Sequence, residues 1–525
     1  MERLPKIKAV MEQWQTKDTS SLLSNLEKNQ ELKQVLLEET PWVLEAKSET
    51  EQRKRIAQLF NLVQLAADRN KMLAQLQEMQ TPNGGFSWFK GGPDDRFITQ
   101  YIVTGIGHLR HLGAVSKDPG SLNAIVNKAL PYLDARIRED YEKRDKKNTV
   151  PAYLNYYAVQ YHYMRSFFQE KGIPGNQVTA ANYYRKEMQQ LWAKGNRMAK
   201  AMIALALHRT GDKFTAQQIV RSLKETSIIN EELGMYWKEK ITPYFWQDAP
   251  IETHAMLIEA FSETGSYPKE VNSLKTWLLR NKQTNRWSST KATADACYAL
   301  LLSGVNWLES EPKVSVQLGN VTTVKSDAAE AGTGYLKKTI PGTAVFPEMG
   351  NITVITEQPS AAALPVWGTI YWQYFENLDK IKSSASTLRL RKQVMVERIS
   401  ASGPVLEPVQ EGMQLNVGDK IKVRLEIVSD RAMEYVHLKD MRASALEPVN
   451  VISGYKWQGT LGYYESTRDA STSFFISYLP KGTHVLEYPL FVTHAGIFSN
   501  GIGTIQCMYA PEFSSHTEGI KIVTE

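Results

Sequence analysis

The chain is poor in cysteine, with only Cys297 and Cys507 among its 525 residues. The pattern around Cys297 predicts a helix and that around Cys507 a strand in another part of the chain. No disulfide framework is therefore indicated, and neither cysteine belongs to a CxxC metal or redox motif. Cysteine usage leaves the redox compartment undecided.

Long apolar runs are also lacking. No window approaches the roughly 18 consecutive apolar residues of a membrane-spanning helix, and the first residues, MERLPKIKAVMEQW, contain no apolar core of an export signal. We therefore expect no membrane span and no signal sequence within this chain. A strong charge imbalance is absent too. The 62 basic and 56 acidic residues give a net charge of +6, which is too small over so large a surface to indicate a nucleic-acid partner.

The apolar pattern changes along the chain. Up to about residue 305, apolar residues recur at the three- and four-residue spacing of helices, as in 51–79 and 196–208. After residue 312 they alternate, as in 314–318 and 352–355, which is typical of strands. A polar stretch of small residues at 382–386 is typical of a linker. The sequence predicts a multidomain protein, first α and then β, with domains at 1–310, 311–385 and 386–525.

A weak internal repeat suggests how the helices are arranged. Segments 80–113, 235–265 and 281–304 each combine an aromatic-bearing loop, a helix opened by Thr or Asp, and a closing Gly. The Gln-x-x-x-Gly-x-Phe-x-Trp pattern at 80–88 is similar to the loops of α/α toroids, so we expect an α/α toroid followed by β-sandwich-type domains. Thr99, Thr253 and Thr293 are expected to cap helices, whereas Gly113, Gly265 and Gly304 are expected to end them in the left-handed conformation.

The loop of the first repeat gives a candidate surface at the toroid mouth, formed by Trp88, Asp94, Asp95 and Arg96. Two adjacent carboxylates could serve as acid and base or bind a magnesium diphosphate. The Asp-x-Asp-Asp acid motif of toroid terpene cyclases is absent, however. We therefore expect the pair to cap a helix and to form an ion pair with Arg96.

A zinc site has one weak indication. Asp295-Ala296-Cys297-Tyr298 resembles the Asp-x-Cys-Tyr of the zinc-binding prenyltransferase subunit. Catalytic zinc needs three protein ligands, and by pattern His254 is the only nearby third candidate. We expect instead that Cys297 is buried and inert. His108 and His111 share a helix face but also lack a third ligand. No catalytic residue, metal or cofactor is predicted.

The end of the chain resembles a known family. The stretch 478–513, YLPKGTHVLEYPLFVTHAGIFSNGIGTIQCMYAPEF, is similar to the last, receptor-binding-like domain of bacterial alpha-2-macroglobulins, thioester-containing protease-trapping proteins related to complement components. Further segments resemble the family in the same order: LPKIKAVMEQW at 4–14, TPNGGFSWF at 81–89, PVWGTIYWQYFENLDKI at 365–381 and SDRAMEYVHLKDMRASALEP at 429–448.

One departure from the family decides the functional expectation. The reactive thioester element is Cys-x-Glu-Gln, but here Cys297 is followed by Tyr-Ala and Cys507 by Met-Tyr. In the family an LPKIKAV-like segment lies shortly after that element, so the chain resembles a carboxy-terminal portion without thioester or bait region. Residues 311–385 would then be half of a β domain. Its unpaired strand edges are expected to pair with upstream polypeptide or with a second copy of the chain.

The resemblance implies a non-enzymatic scaffold or binding surface of a protease inhibitor, with proteases as partners and a periplasmic or cell-envelope location. The alternative is a toroid lyase, cyclase or transferase acting on a polysaccharide or an isoprenoid. Such an enzyme would need a deep cavity with convergent carboxylates or zinc.

Overall fold

The structure is a computed structural model. It describes residue 51 and residues 62–114, 119–144, 153–231, 233–238, 249–265, 267–281, 287, 289–302, 313–320, 322–325, 336–357, 366, 368–401, 403–410 and 412–525. Helices come first and antiparallel sheets follow, which confirms the predicted order. The described helices are α1 (Leu62–Glu78), α2 (Arg96–His111), α3 (Pro119–Lys143), α4 (Tyr156–Arg165), α5 (Gly175–Leu191), α6 (Arg197–Arg209), α7 (Lys213–Glu225), α8 (Pro250–Thr264), α9 (Pro268–Arg280) and α10 (Thr290–Leu302).

The helices form an inner and an outer row. Helices α2, α4, α6, α8 and α10 pack against one another in chain order, while α3, α7 and α9 each pack on the inner helix that precedes them. Helix α6 is buried almost all round, from Ala201 to Leu207, because nearly every residue there is apolar. The last inner helix returns to the first, since the rings of His108 and Tyr298 stack with centroids 3.7 Å apart. This alternation and closure are typical of α/α toroids.

The threonines expected to cap helices are not the caps, whereas Asp95, from the aspartate pair that is also expected to cap a helix, is one. Asp95 caps α2 by accepting a backbone N–H at 2.9 Å, and Ser289 does the same for α10 at 3.0 Å. The expected caps Thr99 and Thr293 instead donate their hydroxyls to the backbone carbonyls of these two cap residues. Helix α8 has no side-chain cap, and Thr253 lies inside its first turn.

The predicted helix ends are confirmed in part. Gly113 has the expected left-handed backbone, with φ of 66°. The prediction for Gly265 is wrong, because its φ of −174° is extended backbone that any residue can adopt. Gly304 lies outside the described residues.

Two short antiparallel pairs lie among the helices, β1 (Phe86–Ser87) with β2 (Asp94–Asp95) and β3 (Ile228–Asn230) with β4 (Gly234–Tyr236).

A small sheet follows the helices. Strand β5 (Lys313–Leu318) lies between β6 (Thr322–Lys325) and β7 (Ile352–Glu357), all antiparallel. Every residue of β7 is exposed, including Val354 and Ile355, and β5 is only half-buried. Within the described residues this unit is therefore an open sheet. Its boundaries at 311 and 385, and its pairing with other polypeptide, remain predictions.

The terminal unit is a β-sandwich. One sheet contains, in order, β10 (Gly403–Pro408), β9 (Leu388–Ser400), β12 (Lys420–Ser429), β18 (Gly482–Val492) and β14 (Leu446–Pro448). The other contains, in order, β15 (Gly454–Gln458), β16 (Leu461–Thr467), β17 (Ser471–Leu479), β13 (Met433–Met441), β20 (Gly503–Cys507), β21 (Ser514–His516) and β8 (Ser384–Ala385). A third, small sheet contains β11 (Gln414–Leu415), β22 (Ile520–Thr524) and β19 (Gly496–Asn500). Along β12 the residues alternate between buried apolar side chains and outward polar ones. This alternation gives the sheet one apolar face, and the two main sheets pack together through such faces. Both sheets contribute to one apolar core.

A buried ion pair joins the two sheets. Lys392 Nζ on β9 lies 2.7 Å from Asp440 Oδ1 on β13, and the two side chains are 5% and 0% exposed. Tyr488 on β18 donates its hydroxyl to the same carboxylate. The helical half meets this unit through Arg280, whose Nη1 lies 3.1 Å from Glu512 Oε1. No helix in the described part of the chain is long and apolar enough to cross a membrane.

The loop at 80–88 depends on a glycine. Gly84 has φ of +94°, and a Cβ added there would lie 2.0 Å from the carbonyl oxygen of Lys128 on α3. Gln80 fixes the loop by donating from Nε2 to the carbonyls of Gly84 and Ile125, both at 3.0 Å. The loop thus lies directly on α3 because a glycine permits the approach.

We predict that Gly84→Ala destabilises the protein by about 3 kcal/mol or more, since it combines a left-handed backbone with a backbone clash. Gly211→Ala is the matched control, because Gly211 has φ of +98° but open space around it. It should cost only about 1–2 kcal/mol. Urea unfolding followed by circular dichroism measures both, and equal losses would mean that the contact with α3 is unimportant.

Candidate functional site

The predicted mouth residues have structural partners. Asp94 accepts a hydrogen bond from the hydroxyl of Tyr132, which lowers the pKa of the Asp94 carboxyl, and another from Asn83 Nδ2 at 3.2 Å. Asp95 is the cap of α2. The expected ion pair of the two aspartates with Arg96 is not formed. Arg96 pairs instead with Asp140 on α3, 44 residues further along the chain.

An aromatic row leads from the mouth along α2. The rings of Trp88 and Phe97 stack with centroids 6.1 Å apart, and those of Phe97 and Tyr101 at 6.3 Å. Trp88 is 62% exposed. The row therefore runs from a solvent-exposed indole to the half-buried phenol of Tyr101.

A charged group lies at the inner end of this row, and we call Tyr101, Glu252, Lys291 and Asp295 the mouth cluster. Lys291 Nζ lies 3.1 Å from Asp295, 3.6 Å from Glu252 and 5.7 Å from the ring centre of Tyr101. Burial raises the pKa of Tyr101 to about 12, with help from the two carboxylates. Burial also raises the pKa of Asp295, against the effect of Lys291. The ammonium thus balances both carboxylates beside the phenol, in a group that is mostly shielded from solvent.

A second polar cluster lies deeper between the inner helices, around Glu259. This carboxylate accepts hydrogen bonds from the hydroxyl of Tyr298 at 2.7 Å, from Arg209 at 2.6 Å and from the hydroxyl of Tyr163. Burial would raise the pKa of Glu259, but Arg209, His108 and the two tyrosine hydroxyls outweigh it, so the pKa lies below its ordinary value.

The deep cluster continues through neighbouring groups. His108 Nε2 lies 2.9 Å from the Tyr163 hydroxyl. Because the proton of that hydroxyl is given to Glu259, the histidine is the donor in this contact. Arg209 also pairs with Glu263. The cluster thus ties α2, α4, α6, α8 and α10 together through their side chains, and Arg209 also donates to Ser166 Oγ just beyond the end of α4.

Sequence reasoning missed this deep cluster. The signal is present in α8, where Glu252, Glu259 and Glu263 follow one another at spacings of seven and four in a helix with no other acidic residue and no Lys or Arg. Such spacing places three carboxylates on one helix face. The partners lie on helices 39–96 residues away in sequence, which no local pattern reveals.

The three zinc candidates lie in different environments and do not form a common metal site. Asp295 pairs with Lys291. His254 is buried, bonds through Nε2 to the carbonyl of Leu274 at 2.9 Å, and stacks on Trp277. Burial lowers the pKa of His254 to about 3. Cys297 is exposed, so the expectation that it is buried is wrong. Among the described residues no three His, Cys, Asp or Glu side chains are grouped to hold a metal.

Comparison with known proteins supports the resemblance in the sandwich. Residues 388–512 match the family model of the bacterial alpha-2-macroglobulin MG10 domain. This confirms the predicted similarity to the carboxy-terminal portion of bacterial alpha-2-macroglobulins, and the matched residues run from β9 to just beyond β20. No curated protein matches the chain.

Solved structures similar to the chain are also bacterial alpha-2-macroglobulins. The trypsin-activated protein from Escherichia coli is 13% identical with a TM-score of 0.40, over 86% of this chain and 29% of that chain. The Salmonella protein reacted with methylamine is 12% identical with a TM-score of 0.33, over 96% and 30%. The native E. coli protein from domain MG7 to the C-terminus is 13% identical with a TM-score of 0.34, over 98% and 75%. The chain thus spans about 30% of the length of the first two.

We predict that His254 makes the protein acid-sensitive. A histidine whose pKa is lowered by folding binds its proton more readily in the unfolded state, so stability is lost as pH falls below about 6.5. Between pH 6.5 and 4.5 the loss from His254 should be about 2–3 kcal/mol. Burial also lowers the pKa of His108, His162 and His437 to about 4, so these residues add to the same slope. His254→Gln keeps a side-chain donor but cannot charge, and should reduce the loss measured by urea unfolding by about 2–3 kcal/mol without abolishing it. His494→Gln, at an exposed histidine, should keep the wild-type slope. An unchanged slope in His254→Gln would contradict the assignment.

We also predict little bound zinc, because His254 and Asp295 are engaged by other groups. Protein purified without chelator and analysed by plasma mass spectrometry should contain well below one zinc per chain. Stoichiometric zinc that is lost in Cys297→Ala would instead support the transferase alternative.

Proposed function

We propose that this chain is a non-enzymatic part of an alpha-2-macroglobulin-like protease inhibitor, acting as a scaffold or binding surface. The match of residues 388–512 to the MG10 domain is the observation that carries the proposal. The predicted division into a toroid at 1–310, a partial β domain at 311–385 and a terminal sandwich at 386–525 is part of it. Proteases are the proposed partners, and the periplasm or cell envelope is the proposed location.

The contact with a protease is proposed to be non-covalent. Neither cysteine is followed by the Glu-Gln that a thioester requires. Cys507 is fully buried at the end of β20, and burial raises the pKa of its thiol to about 11. Cys297 is exposed on α10, but the residues after it are Tyr298 and Ala299. Acylation needs an activated carbonyl, which these surroundings do not provide.

The enzymatic alternative has no specific observation in its favour. Its nearest counterpart is the mouth cluster, where Glu252 and Asp295 share the ammonium of Lys291. The Glu252 and Asp295 side chains are only 8% and 19% exposed, and the ammonium of Lys291 already engages both, so neither is presented to a substrate as a free acid or base. We therefore regard this cluster as a structural ion-pair group beside the aromatic row.

We predict that the chain binds trypsin or elastase reversibly and without a covalent bond. Active-site-blocked proteases should comigrate with it in size-exclusion chromatography, yet no adduct should persist on a denaturing gel. Methylamine should leave the intact mass unchanged, because no thioester is present to open. The variant with both Cys297→Ser and Cys507→Ser should behave identically. A methylamine mass gain with release of a thiol would refute the non-covalent mechanism, and failure to bind either protease would refute the protease-binding role.

A further inference from the structure

Strand β15 ends the seven-stranded sheet of the sandwich with an unprotected edge. It pairs with β16 on one side, and no other described strand pairs with it. Edge strands usually avoid further pairing by carrying a charge, most often a lysine. The one lysine of β15, Lys456, lies 2.6 Å from the buried carboxylate of Glu465. The charge that would repel another strand is therefore neutralised within the sheet.

The outer face of this edge is aromatic. Tyr455 is 68% exposed and Trp457 75% exposed, although both are large apolar groups. The indole of Trp457 is nevertheless held in place, because it packs across Gly462 on β16, where an added Cβ would lie 2.8 Å from the ring. Val451 and Ile452, just before the strand, are exposed as well. An exposed apolar surface of this kind marks an interaction site.

The inner face of the same edge borders a cavity of about 180 Å³ between the two sheets. Gln458 on β15 links the two sheets beside this cavity by bonding to the backbone of Glu487 on β18, as donor at 2.7 Å and as acceptor at 2.8 Å. The cavity is lined by Pro448, Asn450, Lys456, Gln458, Tyr463, Glu465, Thr467, Thr472, Glu487, Tyr488 and Pro489.

The charges around this cavity are paired. Lys456 pairs with Glu465, and Glu487 lies 3.6 Å from Lys422 and 3.5 Å from Arg424. A charged side chain entering the cavity would lose its hydration without gaining a free partner. The amide, hydroxyl and tyrosine groups of the lining suit an uncharged polar side chain instead.

We propose that the β15 edge is a docking site for an extended segment of another protein, which adds a strand beside β15. Successive side chains of a strand point to opposite faces, so alternate residues of the segment would lie beside Tyr455 and Trp457 or enter the cavity. The segment recognised therefore alternates apolar with uncharged polar residues. A second copy fits less well, because the long side chains that alternate with Tyr455 and Trp457 in its β15 are Lys456 and Gln458, and both are already engaged within their own sandwich. This inference does not depend on the proposed protease-inhibitor function.

A displayed library of random short peptides, selected on the full chain, tests the proposal. Enriched peptides should alternate apolar and uncharged polar residues. The variant with Tyr455→Ala and Trp457→Ala should weaken their binding by about tenfold or more. Ile497→Ala, which truncates an equally exposed residue on β19, is the matched control and should bind as wild type. Thermal unfolding checks that the variants remain folded.

The backbone of the peptide gives the decisive measurement. N-methylation at every second residue should weaken binding by about tenfold, because those amides donate to β15, while methylation at the residues between should have little effect. Failure to enrich any peptide, an unchanged affinity for the double variant, or a methylation profile without alternation would each overturn the proposal. So would a dimer seen by sedimentation velocity that the double variant abolishes, since this would assign the edge to a second copy.

Discussion

Each half of the protein contains a buried carboxylate at a point where several elements meet, with its charge balanced by a cation and at least one tyrosine hydroxyl. In the helical half this is Glu259, with Arg209, Tyr163 and Tyr298. A buried charge is costly unless its partners are in place, and removing one partner typically costs about 3–5 kcal/mol. The donors come from three inner helices besides α8, so those helices must meet at Glu259. Their arrangement is therefore specified by a polar constraint as well as by apolar packing.

The sandwich follows the same principle with different groups. Asp440 faces Lys392 and the hydroxyl of Tyr488, and these three residues lie on β13, β9 and β18. Because β13 belongs to one sheet and the other two strands to its partner, the ion pair fixes how the sheets face each other. Apolar alternation alone would bring two sheets together but would distinguish less strictly between registers.

What the sequence predicts correctly is local or rests on contiguous motifs. Helical and alternating periodicities extend over whole elements, so the order of α and then β is recoverable, and the carboxy-terminal motifs are long enough to indicate the MG10 domain. The predictions that fail concern the interaction partners and the burial of individual side chains. Arg96 lies beside Asp94 and Asp95 in sequence, yet it pairs with Asp140 because the two aspartates are engaged at the helix start. Cys297 is exposed because Ala296 and Tyr298 occupy the inward face of α10.

The non-covalent partner binding proposed above would rest on surface contacts, and the described residues offer exposed aromatic groups in both halves. The helical half presents Trp88, and the sandwich presents the β15 edge with Tyr455 and Trp457. Glu259 and Asp440 cannot contribute directly, since their oxygens are buried and already paired. Each exposed surface is small, so neither need bind tightly by itself. Two modest contacts on one chain can nevertheless hold one partner by raising its effective concentration at the second site. The buried carboxylates would then serve binding indirectly, by keeping each surface rigid enough for its contact to require little further ordering.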